Sequence, residues 1–108
     1  MMNKKILSLG YIQSQGLHDS VLDVFEINFR NNKILIIISE LFKKKNGKII
    51  IELNKIRFLN IDQENDFKNR EIILDFEINL ERKQIKIFTT SNTLYNIGFE
   101  ESNVTLEY

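Results

Sequence analysis

The 108-residue chain contains no cysteine, proline, tryptophan or alanine. Without cysteine there is no disulfide, no thiolate nucleophile and no cysteine-ligated zinc or iron–sulfur site. Alanine is the strongest helix former, so its absence, together with abundant isoleucine and phenylalanine, favours strands over helices. A chain of this length is the usual size of one domain, which we expect to span residues 1–108.

Long apolar runs are also missing. Residues 6–12 are the most apolar stretch near the N-terminus, but serine and glycine interrupt them and no small-x-small cleavage site follows. Nothing approaches the ~20 apolar residues of a membrane span. We therefore expect residues 1–15 to form a first strand or an ordered arm, and the protein to be cytoplasmic with no membrane partner.

Strict alternation of apolar and polar residues is the strongest signal in the second half. Residues 71–81 alternate almost without exception, which predicts a strand with one solvent-facing side. Residues 84–90 resume the pattern after two basic residues, so the two segments predict a tight antiparallel hairpin. The pattern returns in residues 95–99 and 104–108, where we expect a second hairpin.

The first half predicts a more deeply buried hairpin. Residues 21–30 alternate, with Phe25, Ile27 and Phe29 on one face. Asn31-Asn32 then provides a two-residue turn, because asparagine tolerates positive φ. The following strand contains the run Ile34–Ile38, and a strand that is apolar on both faces is typically central and covered on both sides.

Two further breaks complete the predicted strand order. Asn46-Gly47 predicts the turn into the strand at Ile49–Leu53. The apolar phase then shifts, which predicts a bulge or break near Asn54-Lys55. Residues 62–70 have no apolar period and are expected to form a loop or one helical turn. The predicted fold class is all-β with at most one short helix: about eight strands in an antiparallel meander that closes into a sandwich or a strongly curved sheet.

The only histidine, His18, lies in the segment Leu17-His18-Asp19-Ser20. A Ser-His-Asp relay requires one histidine to bond both a hydroxyl and a carboxylate. Adjacent residues on an extended chain point to opposite faces, so we do not expect His18 and Asp19 to form such a relay with each other. We interpret His18, Asp19 and Ser20 as a structural turn in which Asp19 or Ser20 bonds nearby backbone N–H groups and His18 is bonded within the same turn. No catalytic residue is predicted, and an enzyme is the least expected class.

The acidic segment Asp62, Glu64 and Asp66 has the alternation of a calcium loop. Such a loop also requires glycine at its sixth position and glutamate at its twelfth, which are here Phe67 and Ile73. The four glycines are isolated, so no phosphate-binding loop is present. We predict no metal and no cofactor, and we interpret the segment as a solvated acidic loop or an acidic patch for a partner.

Charge is balanced overall but unevenly distributed. Residues 1–48 contain eight Lys/Arg and four Asp/Glu, whereas residues 49–108 contain seven and eleven. The basic run Lys43-Lys44-Lys45 is interpreted as the tip of a hairpin. A nucleic-acid-binding protein usually presents a wide basic face, so nucleic acid is not an expected partner.

One segment resembles a known group of proteins. Gly16-Leu17-His18-Asp19-Ser20-Val21, followed by an alternating strand, an asparagine turn and the run Ile34–Ile38, resembles small bacterial all-β immunity proteins. These are encoded beside polymorphic or contact-dependent toxins, and the likeness covers residues 16–61. It implies a protein that binds a cognate toxin, a nuclease among the candidates, and neutralises it by occluding the active site.

An acidic surface speeds and orients encounters with a basic cleft. The acidic second half is therefore the expected contact region of such an immunity protein. The predicted partner-binding residues are Asp62, Glu64, Asp66 and Glu71, with Glu100 and Glu101 as a second acidic edge.

Two alternatives from other functional classes remain open. One is a structural or self-associating β protein without a toxin partner, for which a homodimer is expected. The other is a small β-barrel that binds a small ligand or nucleic acid.

Overall fold

The computed structural model of the protein describes residues 4–15, 17–39, 47–67 and 70–108. One helix and nine strands lie in these ranges. In chain order they are β1 (Lys4–Leu7), α1 (Leu9–Gln15), β2 (Val21–Asn28), β3 (Lys33–Ser39), β4 (Lys48–Asn54), β5 (Phe58–Gln63), β6 (Ile73–Asn79), β7 (Gln84–Thr89), β8 (Thr93–Gly98) and β9 (Glu101–Glu107). The lysine run at 43–45 and Asn46 of the predicted Asn46-Gly47 turn lie outside the described residues.

The strands form two antiparallel sheets. Sheet A has five strands in the order β1-β9-β4-β3-β2, and sheet B has four in the order β5-β8-β7-β6. This arrangement confirms the all-β prediction, with one more strand in the described ranges than the sequence suggested.

The inner faces of the two sheets share one hydrophobic core. In β3, β4, β7 and β8 every second residue is buried, as the period-two pattern predicts. Phe25 of sheet A and Tyr95 of sheet B pack across the core with ring centroids 4.5 Å apart. The other main contributors are Ile34, Ile36, Ile38, Ile49, Ile51, Leu53, Val104, Ile73, Ile85, Ile87 and Ile97.

The β2–β3 hairpin is confirmed. Its turn has four residues, Phe29 to Asn32, rather than the two predicted at Asn31-Asn32. Asn28 Oδ1 accepts a hydrogen bond from Asn31 N at 3.1 Å, and Asn32 has a φ of 53°. The inward orientation predicted for Phe29 is wrong. Pairing ends at Asn28, so the phenyl ring lies in the turn and is 87% exposed.

The β6–β7 hairpin is also confirmed and uses the same device. Asn79 Oδ1 accepts a hydrogen bond from Arg82 N at 3.0 Å, and Lys83 has a φ of 53°. In both hairpins an asparagine at the strand end caps the turn, and a non-glycine residue in the left-handed region closes it.

The second predicted hairpin, between residues 95–99 and 104–108, is wrong. β8 belongs to sheet B and β9 to sheet A, and the two are not paired. They are two halves of one bent strand, which pairs along its length with a second bent strand made of β4 and β5. Asn54 lies opposite Glu101 in sheet A, and Phe58 lies opposite Gly98 in sheet B.

Backbone hydrogen bonds continue through this bend. Glu100 N donates to Asn54 O at 3.2 Å, and Arg57 N donates to Gly98 O at 2.8 Å. Lys55 has a φ of 54°, which confirms the break predicted near Asn54-Lys55. The shift in apolar phase between β4 and β5 therefore marks the point at which the chain passes from sheet A to sheet B.

The run Ile34–Ile38 forms an internal strand of sheet A, as predicted, but it is not covered on both sides. Ile34, Ile36 and Ile38 are buried, whereas Leu35 and Ile37 lie on the outer face and are half-exposed. No second layer of described residues packs on that face.

The N-terminal segment combines a short strand with a helix, so the prediction of a strand or arm is only partly correct. Ser8 Oγ accepts a hydrogen bond from Tyr11 N at 3.2 Å and caps α1. Leu9 and Ile12, three residues apart, point into the core. Residues 62–67 contain no helical turn. In the described ranges no helix is long and apolar enough to cross a membrane.

Gly98 provides a test of the bend. A Cβ atom at this position would lie 2.3 Å from Cε1 of Phe58, so the ring would have to move. We expect Gly98→Ala to lower the free energy of unfolding by about 1–3 kcal/mol in urea denaturation. The cost should shrink in a Phe58→Ala background, because the clash is then absent.

Gly10→Ala is the matched control. Its added Cβ would meet Leu80 Cδ1 at an ordinary 3.5 Å inside α1, so it should be neutral or stabilise by up to about 1 kcal/mol. A Gly98→Ala protein as stable as the wild type, or an equal loss with and without Phe58, would contradict the packing described.

Candidate protein-binding face

The outer face of sheet B contains an apolar pair between two carboxylates. Asp75 lies opposite Phe88, Phe88 opposite Leu94, and Leu94 opposite Asp62. Since directly opposed residues in antiparallel strands are about 5 Å apart, the four side chains form one row across the sheet. Phe88 is half-buried and Leu94 is exposed. We call these four residues the central row.

The next row along the strands is polar. It places Glu77 opposite Lys86, and Lys86 opposite Asn96. A depression of about 580 Å³ beside this row is lined by Glu77, Lys86, Asn79 and Gln84 among others. The face therefore presents three carboxylates and one lysine around an apolar centre.

The carboxylates of this face have no ionic partner inside the described part of the chain. Asp62, Asp75 and Glu77 are all exposed, and none of them forms an ion pair with another described residue. Asp62 and Asp75 therefore present their charge to solvent on this face, whereas Glu77 lies opposite Lys86.

The segment that contains Asp62, Glu64 and Asp66 borders this face. Asp62 is in β5, and the residues after it fold back on the β7–β8 turn, where Asn65 N donates to Ser91 O at 3.3 Å. All three carboxylates are exposed. The structure therefore brings this predicted acidic group to the edge of the central row.

Glu71 has a different environment. Its Oε1 accepts hydrogen bonds from Thr89 Oγ1 at 2.8 Å and from Ser91 Oγ, and Ser91 Oγ lies 2.6 Å from Thr93 Oγ1. The three hydroxyl residues are fully buried. The Glu71 carboxylate is thus engaged inside the domain, where it satisfies the hydroxyl groups of Thr89 in β7 and of Ser91 in the following turn.

Glu100 and Glu101 lie at the bend, at the other end of β8 from Thr93 and the acidic segment. Glu101 forms an ion pair with Lys55, and Glu100 Oε1 lies 3.3 Å from Arg57 Nε. The hydrogen bond with Lys55, followed by its positive charge, lowers the pKa of Glu101 and reciprocally raises that of Lys55. The structure does not join these two carboxylates to the acidic segment, and basic residues neutralise them.

The guanidinium of Arg57 also anchors the bend to the neighbouring hairpin. Its Nη2 donates to the carbonyl oxygens of Arg82 and of Lys83, the latter at 3.2 Å. Lys83 Nζ in turn lies 3.9 Å from Glu100 Oε2. The second acidic edge expected from the sequence is therefore a mixed-charge cluster.

The predicted structural turn at His18, Asp19 and Ser20 joins the two sheets. Asp19 N donates to Ile73 O, and Ile73 N donates to Ser20 O, both at 2.8 Å. Leu17 is buried beneath the turn, and Val21 bridges to Ile72 of the other sheet. The segment is a structural turn, and its backbone rather than the side chains of Asp19 or Ser20 makes the bonds to Ile73.

His18 is bonded within the turn, and its partner is Asp19. Asp19 has a φ of 70°, which departs from the extended chain assumed, and its Oδ2 lies 3.2 Å from His18 Nδ1. Both side chains are exposed, whereas Ser20 Oγ is buried and has no hydrogen-bond partner among the described residues. The three side chains therefore do not form a relay. In the same ranges, no three His, Asp or Glu side chains are grouped to hold a metal ion.

Comparison with known proteins assigns no relative: no family model, curated protein or solved structure matches the chain. Sequence reasoning missed Phe88 and Leu94 as candidate contact residues. The signal was available, because each shares the phase of polar neighbours: Phe88 that of Lys86, and Leu94 that of Asn96. A large apolar residue at an outward position of an alternating strand marks a candidate contact.

Glu71 provides a test of the buried hydroxyl network. Glu71→Ala removes the acceptor shared by Thr89 and Ser91, and unsatisfied buried hydroxyls typically cost about 1–3 kcal/mol in the free energy of unfolding. Glu71→Gln retains an acceptor oxygen and should cost less. Glu77→Ala, which removes an exposed carboxylate, is the control. Equal stability of the Glu71→Ala and Glu77→Ala proteins in urea denaturation would disprove the structural role.

Tyr95 gives the domain a defined dependence on alkaline pH. Burial, and secondarily the negative charge of Glu71, raise the pKa of Tyr95 above its ordinary value of 10.0. Above that value the unfolded chain releases the phenolic proton before the folded one does, so the free energy of unfolding falls with rising pH. We expect Tyr95→Phe to remove this part of the loss in urea denaturation above about pH 10. Tyr108→Phe, at an exposed tyrosine, is the control; if both variants follow the wild-type pH dependence, the burial effect is absent.

Proposed function

We propose that the protein is a non-catalytic immunity protein that binds a bacterial toxin through the outer face of sheet B and occludes the toxin's active site. The observation that carries the proposal is the central row: the half-buried Phe88 and the exposed Leu94 lie between Asp62 and Asp75, which have no ionic partner within the described residues.

The composition of this face fits a protein interface. Binding energy in such interfaces is concentrated in a few well-packed residues near the centre, with a polar rim that excludes water. Phe88 and Leu94 occupy the centre, and Asp62, Asp75 and Glu77 surround them. An aromatic ring already half-buried by its own sheet is held in place, so it loses little side-chain entropy on binding.

The charge of the face suggests the kind of surface it binds. Unpaired carboxylates on one side of a protein accelerate encounters with a basic surface, and this effect is screened by salt. Glu64 and Asp66 extend the acidic rim beyond β5. A toxin with a basic substrate cleft, as a nuclease has, is the partner whose charge complements this arrangement.

The resemblance at residues 16–21 supports the same proposal. In this chain the segment is a turn that fixes β2 against β6. Its contribution is therefore to hold sheet B, and with it the central row, in place against sheet A. As an immunity protein the chain would act in the cytoplasm of the cell that encodes the toxin.

The test is a binding experiment with the toxin domain encoded by the adjacent gene. We expect a 1:1 complex, and we expect Asp62→Lys combined with Asp75→Lys to reduce its affinity about tenfold or more, chiefly through a slower association at low salt. Asp23→Lys combined with Glu81→Lys changes the charge by the same amount on exposed residues away from the central row, and should leave binding unchanged.

Phe88→Ala tests the apolar centre independently of charge. We expect it to reduce affinity about tenfold or more through faster dissociation, as truncation of a central aromatic residue does. Phe29→Ala, at an exposed phenylalanine in the β2–β3 turn, is the control. Absence of a complex with the neighbouring gene product contradicts the immunity function. A complex that tolerates both the charge reversal and Phe88→Ala contradicts the choice of face.

A further inference from the structure

A second apolar row crosses the outer face of sheet A. In the order of the strands, Ile6 lies opposite Thr105, Thr105 opposite Ile50, Ile50 opposite Ile37, and Ile37 opposite Val24. Four of these five residues are aliphatic. Ile6 is 87% exposed, and the other four are partly buried by their neighbours in the sheet. We call these residues the sheet A row.

The aliphatic side chains of the sheet A row are unusual for a solvent-facing surface. The exposed face of an antiparallel sheet normally carries polar residues opposite its buried apolar ones. Here aliphatic residues occupy outward positions on four of the five strands, with Thr105 on the fifth, and Leu35 adds a further aliphatic side chain on the strand of Ile37. A contiguous apolar stripe of this kind marks an interaction surface.

The charges on both sides of the row are arranged in a self-complementary way. Ile50 is on β4, the middle strand of sheet A, and has Lys48 two residues before it and Glu52 two residues after it on the same face. Both charged side chains are exposed, and neither forms an ion pair with another described residue, although Glu107 of β9 lies opposite Lys48 on the same face.

We propose that the outer face of sheet A binds a second copy of this chain, in a two-fold symmetric dimer whose axis runs along the sheet A row. A rotation of 180° about that axis places each strand over its own copy in the opposite direction. Ile50 then faces Ile50 of the second copy, and Lys48 of each copy faces Glu52 of the other. One patch thereby supplies both halves of an isologous interface.

The two outer faces differ in this respect. Sheet B presents three carboxylates and one lysine, so two copies of that face repel each other. The sheet A face carries both signs in mirrored positions, and the chain as a whole has a formal net charge of zero. Charge therefore favours a second copy on sheet A and a different, basic partner on sheet B.

The available area indicates a weak dimer. Five strands about 4.8 Å apart and about 20 Å long give a contact of roughly 500 Å² per copy. The total of about 1,000 Å² lies at the lower end of specific interfaces, which corresponds to an equilibrium in the micromolar range. The inference does not depend on the proposed function, since it uses the opposite face of the sandwich.

Sedimentation velocity of the full chain between about 1 and about 300 µM is the test. We expect a shift from monomer to dimer over this range for the wild type. Lys48→Glu should raise the dimer dissociation constant about tenfold or more, because it places two carboxylates in each of the two symmetric contacts. Lys48→Glu combined with Glu52→Lys restores both contacts with reversed polarity and should recover the wild-type constant.

Lys86→Glu, an equal change of charge on sheet B, is the control and should leave the dimer unaffected. Circular dichroism of each variant shows whether it is folded. If Lys48→Glu alone does not fold, the comparison of the charge-swapped protein with the wild type still tests the contact. A wild type that stays monomeric up to about 300 µM overturns the proposal. The proposal is also overturned if Lys48→Glu alone and the combined Lys48→Glu and Glu52→Lys raise the dimer dissociation constant equally. In that case Lys48 does not contact Glu52 of the second copy. Toxin binding by sheet B would survive either result.

Discussion

Asn54 lies opposite Glu101 in one sheet, and only a few residues later Phe58 lies opposite Gly98 in the other. Two neighbouring strands therefore run through both layers of the sandwich and bend together where they cross. Because the strands remain hydrogen-bonded through the bend, neither sheet can shift its register without the other. The angle between the layers, the single core and the orientation of both outer faces all follow from this shared bend.

The ion pairs at the bend do not by themselves explain it. Lys55, Arg57, Glu100 and Glu101 are all exposed, and exposed pairs contribute little to stability. The direction of the bend is set by backbone and packing: a left-handed residue at Lys55, the close contact of Phe58 with Gly98, and the shift in apolar phase between β4 and β5. The charged groups then complement one another at a corner that is already formed.

The sequence predicted most of the strands correctly but not their partners. Period two identifies a strand from local residues, and an asparagine-capped turn identifies a hairpin, as at Asn28 and Asn79. The prediction that β8 pairs with β9 is wrong because two strands joined by a bend show the same alternation in sequence as two strands joined by a hairpin turn. Residues 100–103 have the length and polarity of a hairpin loop, and nothing local shows that the partners of the flanking strands lie in β4 and β5. The helix at residues 9–15 was missed for a related reason: two buried contacts, Leu9 and Ile12, are too few to define a helical period.

The candidate site residues also divide into those whose environment depends on local sequence and those whose environment depends on distant residues. Exposure was predictable for Asp62, Glu64 and Asp66, because a segment without apolar period is normally solvated. The environments of Glu71, Glu100 and Glu101 depend on residues that are distant in sequence. Thr89 and Ser91 reach Glu71 only after the β6–β7 hairpin has formed, and Lys55 reaches Glu101 only across the bend. Carboxylates of similar appearance in the sequence therefore have three different environments: solvent-facing, buried with hydroxyls, and paired with cations.

The outward apolar residues distinguish the two faces more clearly than the overall charge does. On the outer face of each sheet, hydrophobic side chains occupy positions that alternate with the buried ones, and together they form a row across the strands. Because these side chains point away from the core, neither row is needed to fill it. What differs is the neighbourhood: carboxylates without a described cationic partner around Phe88 and Leu94, and one lysine and one glutamate placed symmetrically about Ile50. A face of one sign needs a partner of the opposite sign, whereas a face with mirrored signs can bind itself. A sandwich fixed by one shared bend presents both faces at once, with the whole core between them, so binding at one does not sterically exclude binding at the other.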